Sequence, residues 1–133
     1  MGYFEYWSAT DEWVTETAWQ SETVTRLRKR VIQEFREGRF DRDFETKLAD
    51  RRIPLQVVLN TISSKQTYIA KYHDRYDGTR RIGFWHPIIQ IFVAWKPGRN
   101  SHFKTAFDRR TGLDYMRGLL DCKLIYRPKE RER

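Results

Sequence analysis

The spacing of apolar residues changes period near residue 66. Before it, they recur every three to four positions. Val24, Leu27, Val31 and Phe35 mark one face of an amphipathic helix over 21–37, with Ser21 as its N-cap and Gly38 as its stop. Asp41 suits the cap of a second helix through Phe44, Lys47, Leu48 and Arg51. Pro54 suits the first turn of a third, in which Leu55, Val58, Leu59 and Ile62 share a face.

Beyond residue 66 alternation takes over. Strands are expected over 67–73, 80–86, 88–95 and 102–107, separated by turn signals at Asp77-Gly78, at Pro87, and at Pro97-Gly98-Arg99-Asn100. Period two puts Thr67, Ile69, Lys71 and His73 on one side of the first strand and Tyr68, Ala70 and Tyr72 on the other. In the second, Ile82, Phe84 and His86 oppose Arg81, Gly83 and Trp85. The third is apolar on both faces apart from Gln90, which predicts a central strand. In the fourth, Phe103, Thr105 and Phe107 oppose His102, Lys104 and Ala106. A short helix over 111–120 and a short strand over 123–126 complete the pattern. The predicted class is α+β, with N-terminal helices packed on one face of a four- or five-stranded antiparallel sheet.

With 133 residues, 39% of them hydrophobic, the chain can bury one real core. One domain over 21–127 is expected, preceded by an arm over 1–20 and followed by a charged tail over 128–133. The arm is acidic and carries Tyr3, Phe4, Tyr6, Trp7, Trp13 and Trp19, rings that belong against the body or a partner rather than in water. No apolar run approaches the roughly 20 residues that span a bilayer. The N-terminus does not follow a basic segment with an apolar one, so a secretory leader is not expected. One cysteine, Cys122, suits a reducing compartment, and a cytoplasmic location is expected.

Charge sharpens the functional reading. Residues 1–25 hold five carboxylates and no Lys or Arg; all 26 basic residues follow, against the remaining 13 of 18 carboxylates. A basic body is the electrostatic footprint of a polyanion binder. Cys and His spacing does not predict zinc, and the sequence lacks a Walker motif, a dinucleotide fingerprint and a metal-type carboxylate cluster. No cofactor is expected, and RNA or another single-stranded nucleic acid is the expected partner.

The strand region also holds all three histidines. Metal-free RNA cleavage needs a base for the 2′-OH proton, an acid for the leaving 5′-oxygen, and cations around the phosphorane. Histidine titrates in the range either proton task needs, and Lys and Arg supply charge. The candidate catalytic set is His73, His102, Arg81, Lys104, Thr105 and Tyr115, with His73 or His102 moving the proton. Lys71 beside His73 is expected to meet His102 and Lys104 across the sheet. Lys47, Arg51, Arg52, Lys71, Arg80, Arg99 and Arg109 are the candidate phosphate contacts. His86, before Pro87, reads as a turn residue.

The order of helices and four-stranded meander, closing on Phe103-Lys104-Thr105-Ala106-Phe107 and then Thr111-Gly112-Leu113-Asp114-Tyr115-Met116, resembles the barnase/colicin/RelE-like nuclease superfamily, in particular RelE-like toxins and phage-associated members. The segment 44–54, the strand Ile82-Gly83-Phe84-Trp85 and the hairpin 89–104 are similar to segments of that superfamily, and the likeness covers about residues 40–118. It implies a metal-independent endoribonuclease, often a toxin with a cognate inhibitor or antitoxin, and it makes Thr105 the polar residue of the last strand that bonds the scissile phosphate. Many phage-associated members carry histidines on the helix before the sheet, where this chain has Lys47, Arg51 and Arg52; RelE-like toxins can work with Lys and Arg in place of His. Two other classes remain open: a non-catalytic nucleic-acid-binding module, and a protein-interaction domain that uses the acidic arm.

Overall fold

The computed structural model describes residues 21–128. The arm over 1–20 and the tail beyond Pro128 lie outside the described residues. Helix α1 (Ser21–Arg36) buries Val24, Val31 and Phe35 and half-buries Leu27, the stripe expected of its spacing. Gly38 ends it in the left-handed region at φ 72°, where its N–H bonds Phe35 O and the next N–H bonds Glu34 O. Helix α2 (Phe44–Asp50) buries Phe44 and Leu48, and α3 (Leu55–Ser63) follows Pro54 and buries Val58 and Ile62. Asp41 does not cap α2. That position belongs to Asp43, which makes no side-chain cap bond, because the Asp41 carboxylate is drawn to Lys104.

Five strands form one antiparallel sheet in the order β4-β3-β2-β1-β5: β1 (Tyr68–His73), β2 (Arg80–Trp85), β3 (Ile91–Lys96), β4 (His102–Asp108) and β5 (Leu120–Tyr126). β1 to β4 are a meander. A short helix α4 (Gly112–Arg117) then returns the chain to pair β5 with β1. The outer side of β4 meets the segment before α2: Asp41 N–H bonds Phe103 O, and Phe103 N–H bonds Arg39 O.

Two features of the sheet depart from simple alternation. β3 begins at Ile91 rather than 88, since residues after His86 form a turn in which Ile88 is 83% exposed. The buried His86 Nδ1 accepts from the backbone N–H groups of Ile88 and Ile89, and Gln90 takes a left-handed φ of 61°. In β4 a bulge falls between the pairs Ala94–Thr105 and Trp95–Phe103, leaving Lys104 as the extra residue. Phe103 therefore faces the helices with Ala106, while Thr105 and Phe107 turn to the opposite face. The expected grouping of Phe103 with Thr105 and Phe107 is corrected by that one inserted residue.

The core is double. Helices α1–α3 pack on one face against Ile69, Ile82, Phe84, Val93, Trp95 and Phe103. On the other face α4 sets Met116 against Ala70, Trp85 and Leu124. The helices thus lie on both sides of the sheet, the N-terminal three on one and α4 on the other. Gly112 sits so close under the Trp85 indole that a Cβ there would enter the ring, and Trp85 Nε1–H donates to Arg109 O at 2.7 Å. This contact seats α4.

Candidate nucleic-acid interface

Helix α4 is too short to cover its whole face of the sheet. Its six residues lie over β2 and β5, and the face toward β3 and β4 stays open. The result is a cleft of about 600 Å³. Tyr72, Phe92 and Ala94 form its floor, and Tyr115 of α4 with Leu119 just after the helix one wall. Lys104, Thr105 and Phe107 of β4 stand opposite with Lys47 of α2, and the β1–β2 loop closes one end with Asp74, Arg75 and Tyr76.

Local structure explains each placement. Lys47 lies one turn after Phe44, whose ring joins Phe35, Phe40 and Phe103 in a cluster with centroids 4.7 to 6.2 Å apart. That cluster fixes α2 beside β4 and puts Lys47 on the rim. Tyr115 packs edge-on to Phe92 and Phe107, at 5.0 and 5.5 Å, and the Arg109 guanidinium stacks on its ring at 4.4 Å. The Lys104 ammonium reaches Asp41 at 3.3 Å across the bulge.

The phenols are held in their neutral form. Burial first, and then the neighbouring Tyr115, pushes the Tyr72 hydroxyl well above its ordinary value. Burial also raises Tyr115, against the opposing pull of Arg109 and Arg75. Both are therefore proton donors at neutral pH. Burial alone would raise Asp41, but the Lys104 charge and hydrogen bond, the Arg42 backbone N–H and His102 hold it below the usual carboxylate range. Lys104 keeps this negative partner behind it while it faces the cleft.

Arg81 lines the cleft but is only 5% exposed, and its guanidinium is engaged. Nη2 lies 3.0 Å from Asp77 and 3.9 Å from Asp74, and Nε donates to the Thr79 hydroxyl at 3.3 Å. Bonds from the Thr79 hydroxyl and backbone N–H, and then Arg81, hold Asp77 well below the usual carboxylate range. Arg81 thus anchors the loop that carries Arg75 and Tyr76. A buried guanidinium with two carboxylate neighbours is a positioning group more than a spare cation.

His73 stands at the end of β1, where the cleft meets its edge. Asp121 sits in a β5 irregularity at a left-handed φ of 53°, and its carboxylate lies 3.2 Å from His73 Nδ1. The two groups are close but not joined by an aligned hydrogen bond, since Nδ1 has no partner at hydrogen-bond angles. His102 lies outside the cleft lining. It bonds Asn100 O through Nδ1 at 2.6 Å and turns Nε2 toward Asp41 at 3.8 Å. The two histidines do not converge, because two strands stand between β1 and β4, a separation of about 14 Å.

The cleft therefore gathers His73, Arg81, Lys104, Thr105, Tyr115 and Lys47 from the sequence-based set. Arg51 and Arg109 border it: Arg51 donates to the Thr105 hydroxyl and to Ala106 O at 2.8 Å and lies 5.9 Å over the Phe107 ring. Lys71 and Arg80 face the helix side of the sheet, Arg99 stands on the β3–β4 loop beside α1, and Arg52 is exposed on the α2–α3 turn. Sequence reasoning missed Arg75 and the pairing of Tyr72 with Arg81. The signal was present: a register set by the Asp77-Gly78 turn puts Tyr72 directly opposite Arg81.

Among the described residues, no group of three or more His, Cys, Asp or Glu could hold a metal ion, and no helix is long and apolar enough to cross a membrane. Compared with protein-family models, with curated proteins and with solved structures, the chain matches none.

Proposed function

We propose that the sheet-face cleft binds single-stranded RNA and cleaves it without a metal, as a nuclease of RelE/barnase type. The observation that carries this reading is the meeting of Lys47, Arg75 and Lys104 with the neutral phenols of Tyr72 and Tyr115, and with His73, around one open cavity. Cations hold the phosphate, and the half-buried rings of Phe107 and Tyr115 with the exposed Tyr76 suit unpaired bases. In the reaction, His73 takes the 2′-OH proton and the 2′-oxygen bonds phosphorus. The bond to the 5′-oxygen breaks, and Tyr115 donates its proton to that leaving group. Lys104 and Lys47 stabilise the added charge, and Thr105, whose hydroxyl Arg51 orients, bonds a phosphate oxygen. The products are a 2′,3′-cyclic phosphate and a 5′-hydroxyl. A toxin-like or phage- or defence-associated protein of this kind would work in the cytoplasm under a cognate inhibitor.

A second reading, a binding module without catalysis, is favoured by one observation: only one histidine reaches the cleft, with His102 bonded outside it and His86 capping a turn. Incubation with labelled single-stranded RNA in excess EDTA separates the two. Cleavage with cyclic phosphate ends, abolished by Tyr115→Phe and Lys104→Ala in folded protein, is expected of the nuclease. Salt-sensitive binding without product would favour the module. Normal cleavage by both variants would remove the site assignment.

A further inference from the structure

A second cavity lies on the opposite face of the sheet. It is a groove of about 550 Å³ between the first turns of α1 and the ends of β1 to β3. Its floor is apolar, made by Leu27, Ile82 and Trp95, and Arg26, Lys71 and Arg80 stand around it. Among the described residues these three cations have no ion-pair carboxylate. Asp121, the one carboxylate in the lining, is turned to His73. An apolar trough edged by unpaired positive charge calls for an occupant with large rings and carboxylates.

We infer that residues 1–20 of this chain occupy the groove. The segment carries Glu5, Asp11, Glu12 and Glu16, no Lys or Arg, and six large aromatic residues. It joins the body at Ser21, and Thr23, two residues on, already lines the groove. The arm therefore emerges at the groove's mouth, which gives it a high effective concentration there without a separate partner. Extended, 20 residues reach about 66 Å, so the tether does not restrict the docking. Aromatic side chains from 1–20 cover the groove floor at the half-buried Leu27, and its carboxylates face Arg26, Lys71 and Arg80. The docking does not rest on the nuclease reading, since the groove shares only Tyr72 and His73 with the cleft.

Zero-length carbodiimide coupling of the full-length protein tests this, because it joins a Lys amine to a carboxylate only where the two touch. Peptide mass mapping should find amide links within one chain between Lys71 and Asp11, Glu12 or Glu16. High salt should reduce them several-fold, and Lys71→Arg, which keeps the charge but removes the amine, should abolish them. Arg80→Glu, on the exposed rim, should lower the yield. Arm links to Lys47 or Lys104 would move the arm to the sheet-face cleft and overturn the assignment. Links found only between two chains, or none to Lys71 in the folded protein, would overturn it as well.

Discussion

Glu34 is the buried carboxylate on which the seating of α1 depends. It accepts from Trp95 Nε1 at 2.9 Å, from the Ser101 hydroxyl at 2.6 Å and from Arg30 Nε at 3.1 Å, and so ties the helix to the β3–β4 hairpin. Burial alone would raise its pKa, but the Ser101, Trp95 and Arg30 hydrogen bonds and the Arg30 charge hold it below its ordinary value. Glu34→Gln keeps the shape, offers one acceptor oxygen in place of two, and turns an amide N–H toward a donor. Hydrogen bonds to a charged group contribute about 1.5–3 kcal/mol, so we expect a loss of about 2 kcal/mol. Glu34→Ala strands the Trp95 N–H and the Ser101 hydroxyl, at about 1–3 kcal/mol each, for a total near 4 kcal/mol. In a domain of this size the first change should lower Tm by about 7–9 °C. The sign with pH follows from the lowered pKa. The carboxylate's contribution is complete above its unfolded value and is lost as pH falls through its folded value, so the parent should lose stability in acid by more than Glu34→Gln does. Thermal and urea unfolding of both proteins between about pH 3 and 7 measures this. A variant that melts within about 2 °C of the parent, with the same acid profile, would refute the anchoring role.

Gly112→Ala should push α4 off Trp85 and cost about 1–3 kcal/mol, with weakened nucleic-acid binding because Tyr115 moves with the helix; an unchanged melt would show that the contact yields freely. If Lys47, Arg75 and Lys104 are the cleft's phosphate contacts, the slope of log Kobs against log salt for single-stranded RNA should be about −2, and Lys104→Ala should reduce its magnitude by about 0.7. A slope that Lys104→Ala leaves unchanged would place the phosphate elsewhere.

Much of the local structure was legible because it depends on near neighbours. The stripe of Val24, Leu27, Val31 and Phe35 marks α1, Gly38 supplies the left-handed stop, and Asp77-Gly78 marks the first hairpin turn. The alternation correctly separated Lys71 from Tyr72 in β1, and Ile82 and Phe84 from Arg81 in β2, while His73 at the end of β1 lines both cavities. The helices and the five-stranded antiparallel sheet follow the same patterns, and the α+β class with them. The tertiary structure decided what local periodicity does not encode. A single extra residue at Lys104 reversed the facing of Phe103 relative to Thr105, and His86 drew residues 87–90 out of β3. Strand order sets His73 and His102 on strands with two others between them, where sequence order and matching residue types draw them together. Nor does composition show that Arg81 is spent on the loop carboxylates, which depends on a cross-turn geometry of 3.0 Å. The chain by itself determined which segments are helix or strand and that the body is basic, because periodicity and charge are properties of the linear order. Which of those charges share a cleft came only from packing, because pairing register and an α4 too short to cover its face are set by contacts between residues distant in sequence.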